Sequence, residues 1–262
     1  MEIAGYIAAA LIGISLGLVG GGGSIFTMPI LVYLFGVSPP LATSYSLFVV
    51  GSTSLVGAVS NYKKGLINIK AALHFGFASI ATVFLTRKFV VPALPKQVVI
   101  GSVTISESVI IMCLFAVLMV FASVSMITFK IRNQGDVPAE SNHDVFKLFS
   151  YGVAIGIITG LLGAGGGFLL IPTLVLLGHM PMKKAIGTSL LIIAMNSLIG
   201  FAGDIGHFNI DWLLLVKITS IAVAGIFVGG YIGKEIPGHK LKNAFGWFVL
   251  VVGIYIIIKE FF

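Results

Sequence analysis

The feature that most constrains this chain is a series of long apolar runs that hold almost no charge. A helix needs about 20 consecutive apolar residues to cross the hydrocarbon core of a bilayer. Only 10% of the residues are charged, whereas soluble domains carry about 25% and coat a water-facing surface with them. The sequence therefore predicts an all-α integral membrane protein and excludes a soluble enzyme. The runs lie near residues 4–36, 41–62, 67–86, 106–129, 149–178, 185–203, 212–233 and 243–258.

The charged residues and the cysteine content exclude several other classes. The net charge is +7, but the basic residues lie in short loops between apolar runs, where they orient helices in a membrane rather than bind nucleic acid. Cys113 is the single cysteine, which excludes a disulfide framework, a thiolate zinc site and an iron–sulfur centre. No His, Asp and Glu residues have metal-ligand spacing, so we expect no metal and no cofactor.

The two halves of the chain repeat each other at an offset of 143 residues. Shifted by that amount, residues 13–69 overlay residues 156–212 without a gap, and turn formers and small residues match as well as Leu and Ile. A repeat at fixed offset indicates a duplicated architecture. We predict repeat 1 at residues 1–130, a hydrophilic linker at 131–148 and repeat 2 at 149–262.

The first apolar run of each repeat has a glycine cluster in its middle. Gly20–Gly23 precedes Pro29, and the sequence Gly163-Ala164-Gly165-Gly166-Gly167 precedes Pro172. We call these clusters the first and second glycine breaks. Each Gly costs a helix about 1 kcal/mol relative to Ala, and unwound backbone at membrane depth persists only where protein or a wet cavity satisfies it. Each repeat is therefore predicted to begin with two half-helices or a re-entrant hairpin, followed by about three transmembrane helices.

Loop charges predict how the repeats are oriented. The loop at Lys63 and Lys64 is basic, whereas the equivalent loop of repeat 2 contains Asp204. Conversely, the loop at Lys183 is basic and its counterpart in repeat 1 is uncharged. Because basic loops stay in the cytoplasm, the two repeats are expected to be inverted. Arg87, Lys88 and Lys96 count against this scheme, since they fall on the outer side.

The glycine breaks also predict a binding site for a small anion. A half-helix that begins inside the membrane presents free N–H groups and the positive end of its dipole. Glycine allows an anion to approach those groups closely. The alternative is that the glycines only permit close packing of helices. The predicted ligands at the breaks are Gly22, Gly23, Ser24, Thr27, Gly165, Gly166 and Gly167.

A second shared element follows each break, ATSYSL at residues 42–47 and AIGTSL at residues 185–190. Its hydroxyl groups can donate to an oxyanion or bond to carbonyls of their own helix. Asn196 lies in the middle of an apolar run, and its amide needs a partner in either a helix or the substrate. The additional candidate ligands are therefore Ser46, Thr188, Ser189 and Asn196.

Two ionisable residues occupy equivalent positions inside apolar runs, His74 and Lys217. Ionisable residues at membrane depth often serve function. Glycine-interrupted helices in repeated halves are typical of transporters. We therefore predict that these two residues couple transport to a proton or a charge, His74 because histidine titrates near neutral pH. The alternative for Lys217 is that its long side chain extends to the membrane interface.

The paired motifs VGGGGSIFTMP and LGAGGGFLLIP, each followed by an A-x-[SG]-[TY]-S-L element, resemble the TauE/SafE family. The resemblance covers essentially the whole chain and implies a permease of a prokaryotic plasma membrane that exports sulfite, organosulfonates or related small anions. Tyr45, where repeat 2 has Thr188, departs from the commonest pattern of the family.

We therefore expect a multi-pass transporter, an exporter of a small sulfur oxyanion held at the glycine breaks near mid-membrane and moved by alternating access. Its partners are this anion and the lipid bilayer. The alternatives are an anion channel and an intramembrane enzyme or assembly factor. An enzyme would need a nucleophile, metal ligands or an acid–base pair in the bilayer, and none has convincing spacing.

Overall fold

The computed structural model describes residues 2–95, 97–100, 103–128, 145–163, 165–176, 180–233 and 238–261. These residues are almost entirely helical. The helices are α1 (Glu2–Val19), α2 (Thr27–Phe35), α3 (Pro39–Lys63), α4 (Ile69–Leu85), α5 (Val91–Ala93), α6 (Glu107–Thr128), α7 (Val145–Leu162), α8 (Gly167–Leu176), α9 (Met182–Asp204), α10 (Trp212–Ile232) and α11 (Gly238–Phe261). A 3-10 turn, Gly20–Phe26, joins α1 to α2, and a π-helical turn, Thr86–Val90, joins α4 to α5.

Five helices of the described part are long and apolar enough to cross a membrane. They are α3, α4 continued to Ala93, α6, α9 and α10. Large apolar side chains cover their outer faces; Phe77 of α4 is 76% exposed and Tyr231 of α10 is 73% exposed. Such faces suit lipid rather than water. The chain is therefore a helical multi-pass membrane protein, as predicted.

One β-hairpin interrupts the helical fold. Its strands, β1 (Gln97–Ile100) and β2 (Val103–Ser106), pair antiparallel and precede α6. The fold class remains all-α, and this hairpin is the one sheet element among the described residues. Most of the linker predicted at residues 131–148 lies outside the described residues, and α7 begins at Val145, inside that range.

Helix interruptions lie at both predicted glycine clusters. The helices that follow them, α2 and α8, have 9 and 10 residues, which at about 1.5 Å per residue is about half the thickness of a hydrocarbon core. The α2 helix turns back along α1, because the Tyr6 and Phe35 rings contact edge to face with centroids 5.8 Å apart. The first element is therefore a hairpin of one long and one short helix.

The α1 helix packs along α10, and glycines allow their backbones to touch. Gly13 lies against the main chain of Ala222, and Gly17 lies against the main chain of Ile226. Because the contact advances in the same direction on both helices, α1 and α10 run parallel.

The α7 helix packs along α4 in the same manner. Gly156 lies against Ser79 and Gly160 lies against Thr86. These four residues are the counterparts of Gly13, Ala222, Gly17 and Gly229 at the offset of 143. The first helix of each half therefore contacts the third long segment of the other half.

The centre of the molecule is the pair formed by α3 and α9. Gly51 of α3 packs against Leu198 of α9, and Asn61 near the end of α3 packs against Gly187 near the start of α9. As residue numbers rise along α3 they fall along α9, so the two helices are antiparallel. Both are largely buried, and they form the wall against which the glycine breaks lie.

Candidate functional site

The two glycine breaks meet. A Cβ placed on Gly21 would lie 2.6 Å from the Cα of Gly167, and one placed on Gly167 would collide with the main chain of Gly21. Ile193 of α9 contacts both breaks, at Gly21 and at Gly165. The sequence predicts each break separately, and the fold brings them into backbone contact.

The second break depends on left-handed backbone. Gly163, Gly165 and Gly166 have φ values of 66°, 65° and 65°, a region that costs other residues about 1–2 kcal/mol each. In the first break, only Gly20 (φ 70°) has this conformation among the described glycines. The α8 helix begins at Gly167, so its positive end lies at the contact. The α2 helix begins at Thr27, after the 3-10 turn of the first break.

Several buried polar groups have no hydrogen-bond partner among the described residues, and two of them lie at the second break. A Cβ placed on Gly165 would lie 3.3 Å from the Ser197 hydroxyl, and Gly166 contacts the Thr159 hydroxyl. Ser54, at the position of α3 equivalent to Ser197, is buried as well. Unpaired buried hydroxyls are costly and therefore mark positions where a ligand can bind. The unpaired side-chain atoms among the described residues are Thr27 Oγ1, Ser44 Oγ, Ser46 Oγ, Ser54 Oγ, Thr159 Oγ1, Ser197 Oγ, Asn196 Nδ2, and Nε and Nη2 of Arg87.

The predicted ligands of the first break lie in or next to the 3-10 turn. Gly22 and Gly23 are part of it, and Gly23 packs against Ser15 without room for a side chain. The Ser24 hydroxyl donates to the Gly21 carbonyl at 2.8 Å. Thr27 and Ser46 are fully buried and belong to the unpaired group.

Two other predicted ligands have protein partners. The Ser189 hydroxyl donates to the Ile186 carbonyl at 2.9 Å. The Thr188 hydroxyl accepts a hydrogen bond from the backbone N–H of Asn68, the residue that caps α4. Thr188 thus ties the start of α9 to a helix of the other half, a structural contact that the sequence did not indicate.

Tyr45, the counterpart of Thr188, makes the equivalent bond. Its hydroxyl accepts from the backbone N–H of Asp211 at 2.6 Å, and Asp211 caps α10. The departure of Tyr45 from the family pattern therefore preserves a hydrogen bond between the halves.

Asn196 bridges two helices. Its Oδ1 accepts a hydrogen bond from the Ser79 hydroxyl of α4 at 2.8 Å, while its Nδ2 has no partner among the described residues. The amide oxygen of Asn196 therefore joins α9 to α4, and its amide nitrogen is available to a ligand.

The two residues predicted to couple transport to charge are Lys217 and His74. Lys217 is exposed on α10, beside the exposed apolar side chains of Leu213 and Val216, which fits extension to the interface. His74 lies in α4, but its side chain is outside the described residues. Their coupling role stays a prediction.

Arg87 and Asp204 form a buried ion pair that the sequence did not indicate. Arg87, expected on the outer side, is 0% exposed, and Asp204, the last residue of α9, is 1% exposed; Arg87 Nη1 lies 3.0 Å from Asp204 Oδ2. Arg87 and Asp204 are therefore buried rather than loop charges, whereas the neighbouring Lys88 is exposed and still counts against inverted repeats. The sequence signal that could have indicated this pair is that an arginine and an aspartate each directly follow an apolar run. In the part of the chain that is described, no group of three or more His, Cys, Asp or Glu residues could hold a metal ion.

Helices interrupted at glycine breaks inside a multi-pass helical protein are typical of membrane transporters. The family model for "Sulfite exporter TauE/SafE" matches residues 6–256, and the chain belongs to this family. It is 29% identical to a "Probable membrane transporter protein" of Xylella fastidiosa, over 95% of this chain and 92% of the relative. The "Probable membrane transporter protein YdhB" of Bacillus subtilis is 27% identical, over 94% and 96%. No solved structure matches.

These comparisons decide between a transporter and the intramembrane enzyme that the sequence left open. The family and its relatives are named as membrane transporters, so this chain is a membrane transporter and not an intramembrane enzyme.

Proposed function

We propose that this transporter exports a small oxyanion of the sulfite or organosulfonate class across a prokaryotic plasma membrane. The anion binds where the two glycine breaks meet. The observation that carries the proposal is the contact of Gly21 with Gly167, next to buried hydroxyls that have no protein partner. The sulfur class is taken from the description of the family.

The chemistry of the site suits a dehydrated anion. At membrane depth an anion must replace the water molecules that solvate it. Helix N-termini and hydroxyl groups donate hydrogen bonds, and each bond to a charged group is worth about 1.5–3 kcal/mol. Four or five such donors supply enough energy to compensate for much of the lost hydration without a buried lysine at the site.

We also infer that the two halves are inverted repeats. The antiparallel packing of α3 and α9, which are counterparts at the offset of 143, supports this inference. The exchanged contacts of α1 with α10 and of α7 with α4 support it further. A site between two inverted halves can open to either side when one half moves against the other, which is alternating access.

The experiment uses uptake of labelled sulfite into proteoliposomes, with empty liposomes as background. The double variant Ser54→Ala/Ser197→Ala removes two unpaired hydroxyls, so its melting temperature in detergent should equal or exceed that of the wild type. Its KM for sulfite should rise by about ten- to hundredfold. Ser123→Ala is the matched control, because Ser123 is equally buried in α6 and its hydroxyl bonds to its own helix.

An unchanged KM in the double variant would show that the anion does not bind at the glycine breaks. Absence of saturable sulfite and sulfonate transport by the wild type would overturn the substrate class. Counterflow separates the transporter from a channel, because a channel does not accumulate label against unlabelled substrate.

A further inference from the structure

Arg87 has more hydrogen-bond donors than the protein uses. Its Nη1 donates to Thr43 Oγ1 and to Asp204 Oδ2, both at 3.0 Å. Its Nε and Nη2 are buried and have no partner among the described residues. A guanidinium group has five N–H bonds, so three of them remain unpaired.

The unpaired atoms form one edge of the guanidinium plane. Nε and Nη2 point in nearly parallel directions, and this edge binds an oxyanion through two parallel hydrogen bonds. Asp204 contacts Nη1 alone and leaves this edge unpaired. An ion pair that served only the fold would be expected to use the bidentate edge, because that arrangement is the stronger one.

Arg87 is linked to the second glycine break through Thr43. The main chain of Thr43, whose hydroxyl accepts from Arg87, contacts Gly163, and the neighbouring Thr86 contacts Gly160. At the first break the position equivalent to Arg87 is Gly230, which lies against Gly17. A buried cation therefore accompanies the second break, whereas a glycine stands at the equivalent position of the first.

We propose that Arg87 is a second anion-binding residue of the transport pathway, adjacent to the second glycine break. The Nε–Nη2 edge binds the oxyanion, and Asp204 holds the other end of the guanidinium. This inference rests on the proposed function and adds a residue that the glycine site does not contain.

Asp204 has a definite role in this arrangement. Its negative charge offsets that of Arg87, so the anion is attracted by two strong hydrogen bonds but is not bound by an uncompensated buried cation. A transport pathway needs sites that bind well enough to admit an ion and weakly enough to release it. Neutralising Asp204 should therefore strengthen anion binding, whereas neutralising Arg87 should weaken it.

The alternative is a purely structural ion pair. Removing one partner of such a pair leaves an unpaired buried charge and destabilises the protein, whereas replacing both partners by neutral groups of similar shape is often tolerated. The double variant Arg87→Gln/Asp204→Asn keeps the size and polarity of both side chains. It therefore separates anion binding from stability.

The test measures sulfite binding to purified protein by titration calorimetry and sulfite transport in proteoliposomes. We expect Arg87→Gln/Asp204→Asn to purify and melt near the wild type but to bind sulfite about ten- to hundredfold more weakly. Asp204→Asn alone should bind sulfite more tightly than the wild type and release it more slowly. Lys88→Gln is the control, because Lys88 is the neighbouring cation and is exposed.

If the double variant does not fold, Arg87→Lys answers the question, because it keeps the charge but loses the bidentate edge; its binding should weaken at least about tenfold. Wild-type affinity in the double variant, or in Arg87→Lys, overturns the inference. If Ser54→Ala/Ser197→Ala weakens binding and the Arg87 variants do not, this inference fails alone. If the wild type binds neither sulfite nor a sulfonate, the proposed function and this inference fail together.

Discussion

The two glycine breaks both interrupt a helix, but their backbone conformations differ. The first break is a continuous 3-10 turn with left-handed backbone at Gly20, and the Ser24 hydroxyl bonds back into it. The second break uses left-handed backbone at Gly163, Gly165 and Gly166. In the first break the short helix begins at Thr27, after the whole 3-10 turn, whereas in the second it begins at Gly167, within the glycine cluster. Matching glycine clusters therefore interrupt a helix through two different turns.

The surroundings of the breaks differ in their side chains. Arg87 accompanies the second break, and Gly230 takes its place at the first. At the end of the α3–α9 pair near Arg87, three aromatic rings pack together, those of Phe48, Phe201 and Trp212. Their counterparts at the other end are Leu191, Ala58 and Ile69. Side chains at matching sequence positions therefore differ between the two ends of the α3–α9 pair.

The largest expected effect concerns the orientation of the two halves in the membrane, on which their comparison depends. In a Cys113→Ala background, cysteines at Lys64 and Lys183 should react with an impermeant maleimide from the same face of the membrane. A cysteine at the exposed His207 should react from the opposite face. The reason is that α3 ends and α9 begins at one end of an antiparallel pair. Labelling of Lys64 and Lys183 positions from opposite faces would refute the inversion.

The next prediction tests the contact between the breaks. Gly167→Ala forces a methyl group into the main chain of Gly21 and should lower the free energy of unfolding by about 3 kcal/mol or more. Gly76→Ala is the control, because a Cβ there meets only Ile80, at 3.7 Å. It should stabilise α4 by up to about 1 kcal/mol. Thermal unfolding in detergent measures both variants, and a wild-type melting curve for Gly167→Ala would show that the breaks do not touch.

A smaller effect is expected where the two halves make equivalent hydrogen bonds. Tyr45→Phe and Thr188→Val each remove an acceptor for the N–H of a helix cap in the other half. Each should cost about 1 kcal/mol of stability and leave the KM for sulfite unchanged. The same unfolding and transport assays apply. A raised KM in Thr188→Val with unchanged stability would instead make Thr188 a ligand, as the sequence alone indicated.

Local composition predicts much of this architecture. Hydropathy indicates membrane-crossing helices, and the glycine clusters indicate where helices are interrupted, because both properties depend on the residues within one or two turns. The offset of 143 also matches Ser54 with Ser197, so this pair of buried hydroxyls could have been found from the repeat. The family resemblance follows from the same motifs.

Contacts between distant residues could not be predicted in this way. The sequence alone indicated a helical membrane protein with helices interrupted at glycine clusters and a resemblance to the TauE/SafE family, and it predicted an internal repeat. Only the tertiary structure decided that Gly21 touches Gly167, that Thr188 serves a helix cap, and that Arg87 is buried against Asp204, 117 residues away. The physical reason is that a charge directly after an apolar run looks the same in a loop and in a buried pair, and its environment depends on which helix packs beside it.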